Sequence, residues 1–190
     1  MIRKKKSSGA VKTPRVYTVG KFQYRSKALA DFHCELSENQ FVKDFELPTI
    51  NNEKDFVNRK YHAYKPIING IQFDSIMESQ FYLYLLKLKK EHEIKSFERQ
   101  KTFELQPSFK TKDGQSVRAI TYIADFVVVD KDGTVSAVDV KGVETDTFKI
   151  KKKLFQYKYP DIRFLCLRWV PSEGQWLELK DIQKKKKKQA

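Results

Sequence analysis

Two aspartates and a lysine stand in stretches where charged side chains are hard to accommodate. Asp125 interrupts the apolar run Tyr122–Val129, and Asp139 precedes Lys141 by two positions in the run Ser136–Gly142. Aspartate is disfavoured in strands, and a charge within an apolar strand needs a compensating partner. Residues two positions apart in a strand leave the same face, roughly 7 Å apart. Asp139 and Lys141 are therefore predicted to share one face.

The turn between the two runs decides whether Asp125 joins them. A three-residue loop, Lys131–Gly133, with Gly133 in the left-handed conformation, would pair residue 130 with residue 134. That register places Asp125 directly opposite Asp139. A two-residue turn would pair residue 131 with residue 134 and send the two aspartates to opposite faces. We favour the three-residue loop because it requires glycine at its third position.

Opposed carboxylates on one sheet face repel each other, so they indicate a ligand rather than a contribution to stability. Mg²⁺ takes hard oxygen ligands, commonly one or two carboxylates together with phosphate oxygens and waters. Such an ion can activate water for in-line attack on a phosphodiester, and Lys141 could stabilise the developing charge. The alternative is that Asp139 and Lys141 form an ordinary ion pair.

The surrounding pattern predicts the elements that hold these residues. An amphipathic helix is predicted from Asp74–Ser75 to about Glu93, because apolar residues recur at helical spacing. Strands are predicted at Phe97–Leu105, Arg118–Val129, Val135–Val140, Arg163–Trp169 and Trp176–Leu179, with a helix from Asp146 to about Tyr159, before Pro160. This order, helix, three strands, helix and strand, predicts an α/β fold with a mixed sheet flanked by helices.

These residues resemble the D…(D/E)-X-K signature of the PD-(D/E)XK nuclease superfamily, with Ala124 at the position where that signature has proline. More narrowly, Gly70–Asp161 resembles an uncharacterised family encoded by phages of Gram-positive bacteria. The stretches that carry this second resemblance are residues 73–83, 103–107, 118–126, 138–142 and 153–160. The resemblance implies a restriction-endonuclease-like core (α-β-β-β-α-β) over residues 59–180.

The same resemblance implies a Mg²⁺- or Mn²⁺-dependent DNA endonuclease, with Asp125, Asp139 and a helical glutamate as metal ligands and Lys141 as a catalytic residue. Glu78 is the helical candidate, although Ser75-x-x-Glu78 is also a capping box, in which the glutamate reaches back to the helix start. Related folds include Holliday-junction resolvases and the DNA-cutting subunit of some transposases. They imply branched or structured DNA as the substrate in phage recombination or replication, and a C2 homodimer if the substrate is a four-way junction.

Two other functions stay open at this point. The chain could be a non-cutting DNA-binding module within a recombination or transposition complex, or a sequence-specific nicking or restriction-like enzyme. An intact set of acid, acid and lysine favours an enzyme. Lys149, Lys152 and Lys153, in the helix after the motif, are predicted to contact nucleic acid, with a solvated face as the alternative.

The net charge of +14 is concentrated at the two ends of the chain. Residues 1–15 and 181–190 are predicted to be disordered basic tails, which suits a polyanionic partner. Residues 16–58 form an N-terminal extension with a short helix expected from Ser26 to about Glu38, and they echo residues 70–98. The echo is a degenerate repeat or a chance similarity. No apolar run is long enough for a membrane span, and two distant cysteines predict a cytoplasmic protein without disulfides.

Overall fold

A computed structural model describes residues 17–19, 21–24, 27–47, 65–141 and 144–189. The predicted tail at residues 1–15 lies outside these residues. The chain divides into two compact units, residues 1–74 and residues 75–190. Within the described ranges, no helix is long and apolar enough to cross a membrane. Both cysteines are free thiols, with Cys34 exposed and Cys166 buried.

The described part of the first unit contains one helix and small antiparallel sheets. Strands β1 (Tyr17–Val19) and β2 (Phe22–Tyr24) form a hairpin, and helix α1 (Lys27–Glu38) follows. Strands β3 (Phe45–Glu46), β4 (Ile67–Ile68) and β5 (Ile71–Gln72) form a second antiparallel sheet. The predicted helix from Ser26 to Glu38 is confirmed, with its observed start at Lys27. Its apolar stripe is buried at Leu29, Phe32 and Leu36.

The second unit is an α/β structure built on a five-stranded mixed sheet. Its strands are β6 (Ile94–Gln106), β9 (Ile120–Asp130), β10 (Val135–Val140), β11 (Arg163–Val170) and β12 (Gln175–Glu178), in the spatial order β12-β11-β10-β9-β6. Only the pair β10–β11 is parallel within this sheet, because helix α3 (Asp146–Lys158) carries the chain back between those strands. The predicted α/β class, and the predicted order of helices and long strands, are confirmed.

Helices cover both faces of this sheet. Helix α2 (Ile76–Lys90) buries Phe81 and Leu85 against Phe126 and Val138 on one face. On the other face α3 buries Phe148 and Phe155 against a cluster that includes Tyr122, Ala124 and Ala137. The central strands β9 and β10 are therefore apolar on both sides, as expected for strands that are covered twice. A polar side chain on either strand is therefore an exception to this apolar pattern.

Two segments differ from the sequence-based predictions. Residues 181–190 were expected to be disordered, but helix α4 (Leu179–Gln189) runs through them. Leu179 and Ile182 pack against the core on the α3 side, and Lys185 pairs with Glu173, so this lysine-rich segment has an apolar anchor that its composition hides. In addition, a small hairpin of β7 (Phe109–Lys110) and β8 (Ser116–Val117) occupies part of the stretch between β6 and β9.

The echo between residues 16–58 and 70–98 has a counterpart in the order of elements. A strand, a helix and a strand follow in the first copy as β2, α1 and β3, and in the second copy as β5, α2 and β6. Leu29 and Glu78 both occupy the third position of their helices, and both are buried, at 0% and 3% exposure. The first copy therefore has an apolar side chain where the second has an acid.

Candidate active site

The register between β9 and β10 places the two aspartates opposite each other. The paired residues run from Val135 with Val129 to Val138 with Phe126, and one more step in this register sets Asp139 against Asp125. Asp130 donates its backbone N–H to Thr134 at 2.9 Å, and Gly133 has a φ of 92°. The predicted three-residue loop is thus confirmed, and the alternative two-residue turn is wrong.

Each carboxylate of the pair accepts a hydrogen bond from the protein. The backbone N–H of Val140 donates to Asp125 Oδ2 at 2.7 Å, and the Tyr122 hydroxyl donates to Asp139 Oδ2 at 2.8 Å. Lys141 Nζ lies 2.6 Å from Asp139 Oδ1, which leaves it on the same face as predicted. The ammonium group also lies 3.4 Å from the centroid of the Phe148 ring. These contacts hold Asp125, Asp139 and Lys141 in one cluster.

Burial and mutual repulsion alter the acidity of this cluster. Burial, followed by the charge of Asp139, raises the pKa of Asp125 from 3.8 to about 7, although the hydrogen bond from Val140 acts in the opposite direction. Burial and the neighbouring Asp139 also raise the pKa of Tyr122 well above its ordinary value. The Tyr122 hydroxyl therefore keeps its proton and remains a donor to Asp139. Asp125, in contrast, carries a charge that its surroundings do not fully compensate.

Glu78, on helix α2, lies close enough to Asp125 to influence it electrostatically. The Ser75 side chain caps this helix by accepting from the Glu78 backbone N–H at 3.1 Å, which is one half of the predicted capping box. The Glu78 carboxylate is 3% exposed and accepts from Gln100 Nε2 at 3.1 Å, with Arg99 Nη2 at 3.4 Å. Its charge contributes to the raised pKa of Asp125. The helical glutamate and the aspartate pair are therefore electrostatic neighbours.

Gln100 is a site residue that the sequence analysis missed. Its φ of 52° lies in the left-handed region, which is uncommon for a residue other than glycine and is enriched at functional sites. Arg99 pairs with Phe126 and Lys101 with Ala124, so Gln100 lies across from Asp125 in the ladder between β6 and β9. Nothing in the sequence distinguishes a glutamine in a polar strand as a site residue. The position of Gln100 across from Asp125 is known only once this register is known.

In a regular strand, alternate side chains point to opposite faces of the sheet. This alternation shifts by one residue near Asp125 in β9 and near Gln100 in β6. Ala124 packs on the α3 side of the sheet, whereas Phe126, two positions later, packs on the α2 side. In β6, Phe97 packs on the α2 side and Phe103, six positions later, on the α3 side. Residues an even number of positions apart would share a face in a regular strand. The change of phase brings Asp125 to the boundary between the two faces.

A cavity of about 400 Å³ opens over the aspartate pair. Asp125, Asp139 and Lys141 line it together with Thr147 and Lys151 from the first turns of α3. A cavity lined by two acids and two lysines suits a ligand that carries both a cation and an anion. A phosphodiester bound with a divalent metal ion has this distribution of charge.

The lysines predicted to contact nucleic acid lie elsewhere on α3. Lys149 pairs with Asp146 at 2.9 Å, and Lys152 pairs with Glu144 at 2.9 Å, which also keeps the pKa of Glu144 below its usual value. Lys153 is exposed on the helix surface. None of these three lines the cavity over the aspartates, whereas their neighbour Lys151 does.

The donor set fits a hard divalent cation in its chemistry. Two opposed carboxylates and a buried third supply oxygen ligands, and the raised pKa of Asp125 marks negative charge that a cation would compensate. Among the described residues, however, no group of three or more histidine, cysteine, aspartate or glutamate side chains is arranged as a set of metal ligands. The Asp125–Asp139 pair is therefore the part of the site that best fits a metal, with Glu78 at its border.

Comparison with known proteins gives one match. A family model described as a protein of unknown function (DUF1064) matches residues 58–173, which is more than half of the chain. No curated protein and no solved structure matches the sequence significantly. The matched range contains every residue of the site described above.

Proposed function

This chain belongs to the DUF1064 family, whose function is unknown, and we propose that it is a metal-dependent DNA endonuclease of the PD-(D/E)XK type. The observation that carries the proposal is the register of β9 and β10, which opposes Asp125 to Asp139 with Lys141 beside them. A buried acid, Asp139, and a half-buried acid, Asp125, placed against each other destabilise a fold, so the arrangement needs a ligand to explain it.

Asp125 and Asp139 would hold Mg²⁺ or Mn²⁺, with Glu78 as the third acid. When bound, the cation supplies Lewis acidity to the phosphodiester and lowers the pKa of the attacking water. The protein's own contribution is positional. Val140 N–H fixes one oxygen of Asp125, which leaves the second oxygen of Asp125 for a ligand. The Tyr122 hydroxyl fixes one oxygen of Asp139, and Lys141 pairs with the other.

Lys141 supplies positive charge at the base of the cavity. It is 25% exposed and pairs with Asp139, so a phosphate that enters the cavity can take over part of this contact. The Phe148 ring under the ammonium restricts where the charge can move, because a cation is held over the face of an aromatic ring. Lys141 would thereby stabilise the negative charge that develops on the phosphate in the transition state.

The finer fold assignment and the substrate belong to the same proposal. The order α2, β6, β9, β10, α3 and β11 supports a restriction-endonuclease-like core. Branched or otherwise structured DNA, in phage recombination or replication, is the substrate class that the sequence resemblance implies. A four-way junction requires two symmetric cuts, so on this substrate we expect the enzyme to act as a C2 homodimer.

A cleavage assay tests this function directly. A labelled four-way junction, a matched duplex and single-stranded DNA are incubated with Mg²⁺, with Mn²⁺ or with EDTA. We expect cutting that requires the metal and is lost in Asp139→Asn, while Asp161→Asn, which changes an exposed carboxylate on the same chain, cuts like the wild type. If all three substrates are cut, the nuclease assignment stands and the proposed preference for junctions is rejected.

The second candidate is a non-cutting DNA-binding module or a subunit of a recombination or transposition complex. It is favoured by one observation, the absence of an arranged set of three metal ligands among the described residues. Binding of DNA by the wild type, with no cleavage under either metal, would select this candidate and reject the enzyme.

A further inference from the structure

The segment between β6 and β9 is a projecting β-arm. Gln106 pairs with Ile120, and beyond this pair Phe109 pairs with Val117 and Lys110 with Ser116, so the ladder continues past the five-stranded sheet. Strand β10 pairs with the other end of β9, from Val129 to Phe126. No residue from 107 to 119 is buried. We name residues 107–119 the arm.

The arm carries basic side chains that form no ion pair within the described part of the chain. Lys110, Lys112 and Arg118 are exposed, and none of them forms an ion pair with a described acid. Lysines on α3 differ in this respect, because acids hold Lys149, Lys152 and Lys158 in place. Asp113 is the one acid in the arm. The arm also presents Phe109, a large apolar side chain that is 48% exposed.

The arm starts at the edge of the cavity that contains the proposed catalytic cluster. Thr121, one residue after the first residue of β9, lines that cavity. At about 3.3 Å per residue for an extended chain, the path from Asp125 to Arg118 is roughly 23 Å long, and the path to Ser116, the partner of Lys110, is roughly 30 Å long. These lengths correspond to about 7–9 base pairs of duplex at 3.4 Å per pair.

We propose that the arm is a DNA-binding surface that grips the duplex about 7–9 base pairs to one side of the scissile phosphate. Lys110, Lys112 and Arg118 would contact phosphates, and Phe109 would lie against the sugar or base edges. A two-stranded β-ribbon fits the major groove of B-DNA, which is about 12 Å wide. The position of the cut relative to the arm rests on the proposed nuclease function; the binding of DNA by the arm does not.

Two variants distinguish the effect of the arm's charges from the effect of the arm as a whole. In the first, glutamine replaces Lys110, Lys112 and Arg118. In the second, the dipeptide Asn-Gly replaces residues 107–119 and joins Gln106 to Ile120, because these paired residues can be closed by a two-residue turn. The arm buries no residue, so we expect the melting temperature of both variants to stay within about 3 °C of the wild type.

Binding is measured by fluorescence anisotropy on a 30-base-pair duplex and on a four-way junction, across a series of salt concentrations. All proteins carry Asp139→Asn and are kept in EDTA, so cleavage does not interfere. Each lost phosphate contact lowers the slope of log K against log salt by about 0.9, so three contacts lower it by about 2.7. We expect affinity at 0.1 M salt to fall at least tenfold in both variants.

The matched control removes three lysines from the opposite end of the sheet. Lys87 and Lys89 lie in the last turn of α2, and Lys131 lies in the turn after β9. Their replacement by glutamine changes the net charge by the same amount, and we expect the slope and affinity to change less than twofold. An equal loss of affinity in this control would overturn the proposal, because net charge alone would then explain binding.

The remaining outcomes distinguish the arm from the active site. If the arm variants bind DNA with the wild-type slope while the wild type cuts DNA, the arm proposal is overturned and the nuclease stands. If the slope falls as expected but no substrate is ever cut, the arm proposal stands and the nuclease is rejected. If the wild type binds no nucleic acid, both are overturned, and an acidic protein becomes the partner to seek.

Discussion

Replacing Asp125 by asparagine should make the metal-free protein more stable at neutral and alkaline pH. Burial and the charge of Asp139 raise the pKa of Asp125 from 3.8 to about 7. At 1.36 kcal/mol per pKa unit, this shift corresponds to at most about 4 kcal/mol of destabilisation once the group is ionised. Because part of this shift depends on the charge of Asp139, we expect a gain of about 2–4 kcal/mol from Asp125→Asn. The asparagine oxygen can still accept the hydrogen bond from Val140.

The sign of the pH dependence follows from the direction of the shift. Between pH 3.8 and about 7 the folded state binds more protons at Asp125 than the unfolded state does. Stability of the wild type therefore falls as the pH rises through this window, and the destabilisation is fully present above pH 7. The advantage of Asp125→Asn should be largest at pH 8 and should shrink towards pH 4.

Thermal melts in EDTA at a series of pH values measure this effect. For a chain of this size, 2–4 kcal/mol corresponds to roughly 4–16 °C in melting temperature at pH 8. Asp113→Asn serves as the control, because it removes a carboxylate that is exposed on the arm. Added Mn²⁺ should raise the melting temperature of the wild type and leave Asp125→Asn almost unchanged. A variant that melts below the wild type at pH 8, or a gain that is equal at every pH, would refute the reasoning.

Three further predictions concern neighbouring residues. Gln100→Gly should change the melting temperature little, because relief of the left-handed φ of 52° offsets the lost hydrogen bond to Glu78, while calorimetry should show 10- to 100-fold weaker Mn²⁺ binding. Tyr122→Phe, which removes a buried hydrogen bond to Asp139, should lower the free energy of unfolding in urea by about 1–2 kcal/mol. Lys151→Ala should lower kcat/KM for DNA cleavage about tenfold, whereas Lys153→Ala, away from the cavity, should change it less than twofold; equal effects would contradict the geometry.

The long elements and the opposed aspartates could be predicted because each depends on a local rule. Gly133 determines the loop, the loop determines the register, and the register brings Asp125 to Asp139. Apolar periodicity likewise identified α2 and α3, because their buried residues recur at helical spacing. Such features depend on residues that are close together in the sequence, so the sequence alone predicts them.

The features that were missed depend on contacts between distant residues. Gln100 matters because of a change of phase in two strands and a hydrogen bond to Glu78, twenty-two positions earlier. Lys151 rather than Lys152 lines the cavity because Glu144 holds Lys152, a choice that composition does not reveal. Helix α4 depends on Ile182 packing against the core. The sequence prediction of disorder counted only the lysines and did not include this contact.

The arm also divides the chain into two parts that share one site. A break at Lys112 would leave Glu78 in one fragment, and Asp125, Asp139 and Lys141 in the other. The fragments would still be joined by the long ladder between β6 and β9, which lies outside the break. The protein is therefore a natural starting point for a split reporter, in which two separately expressed pieces complete the site only when they reassociate.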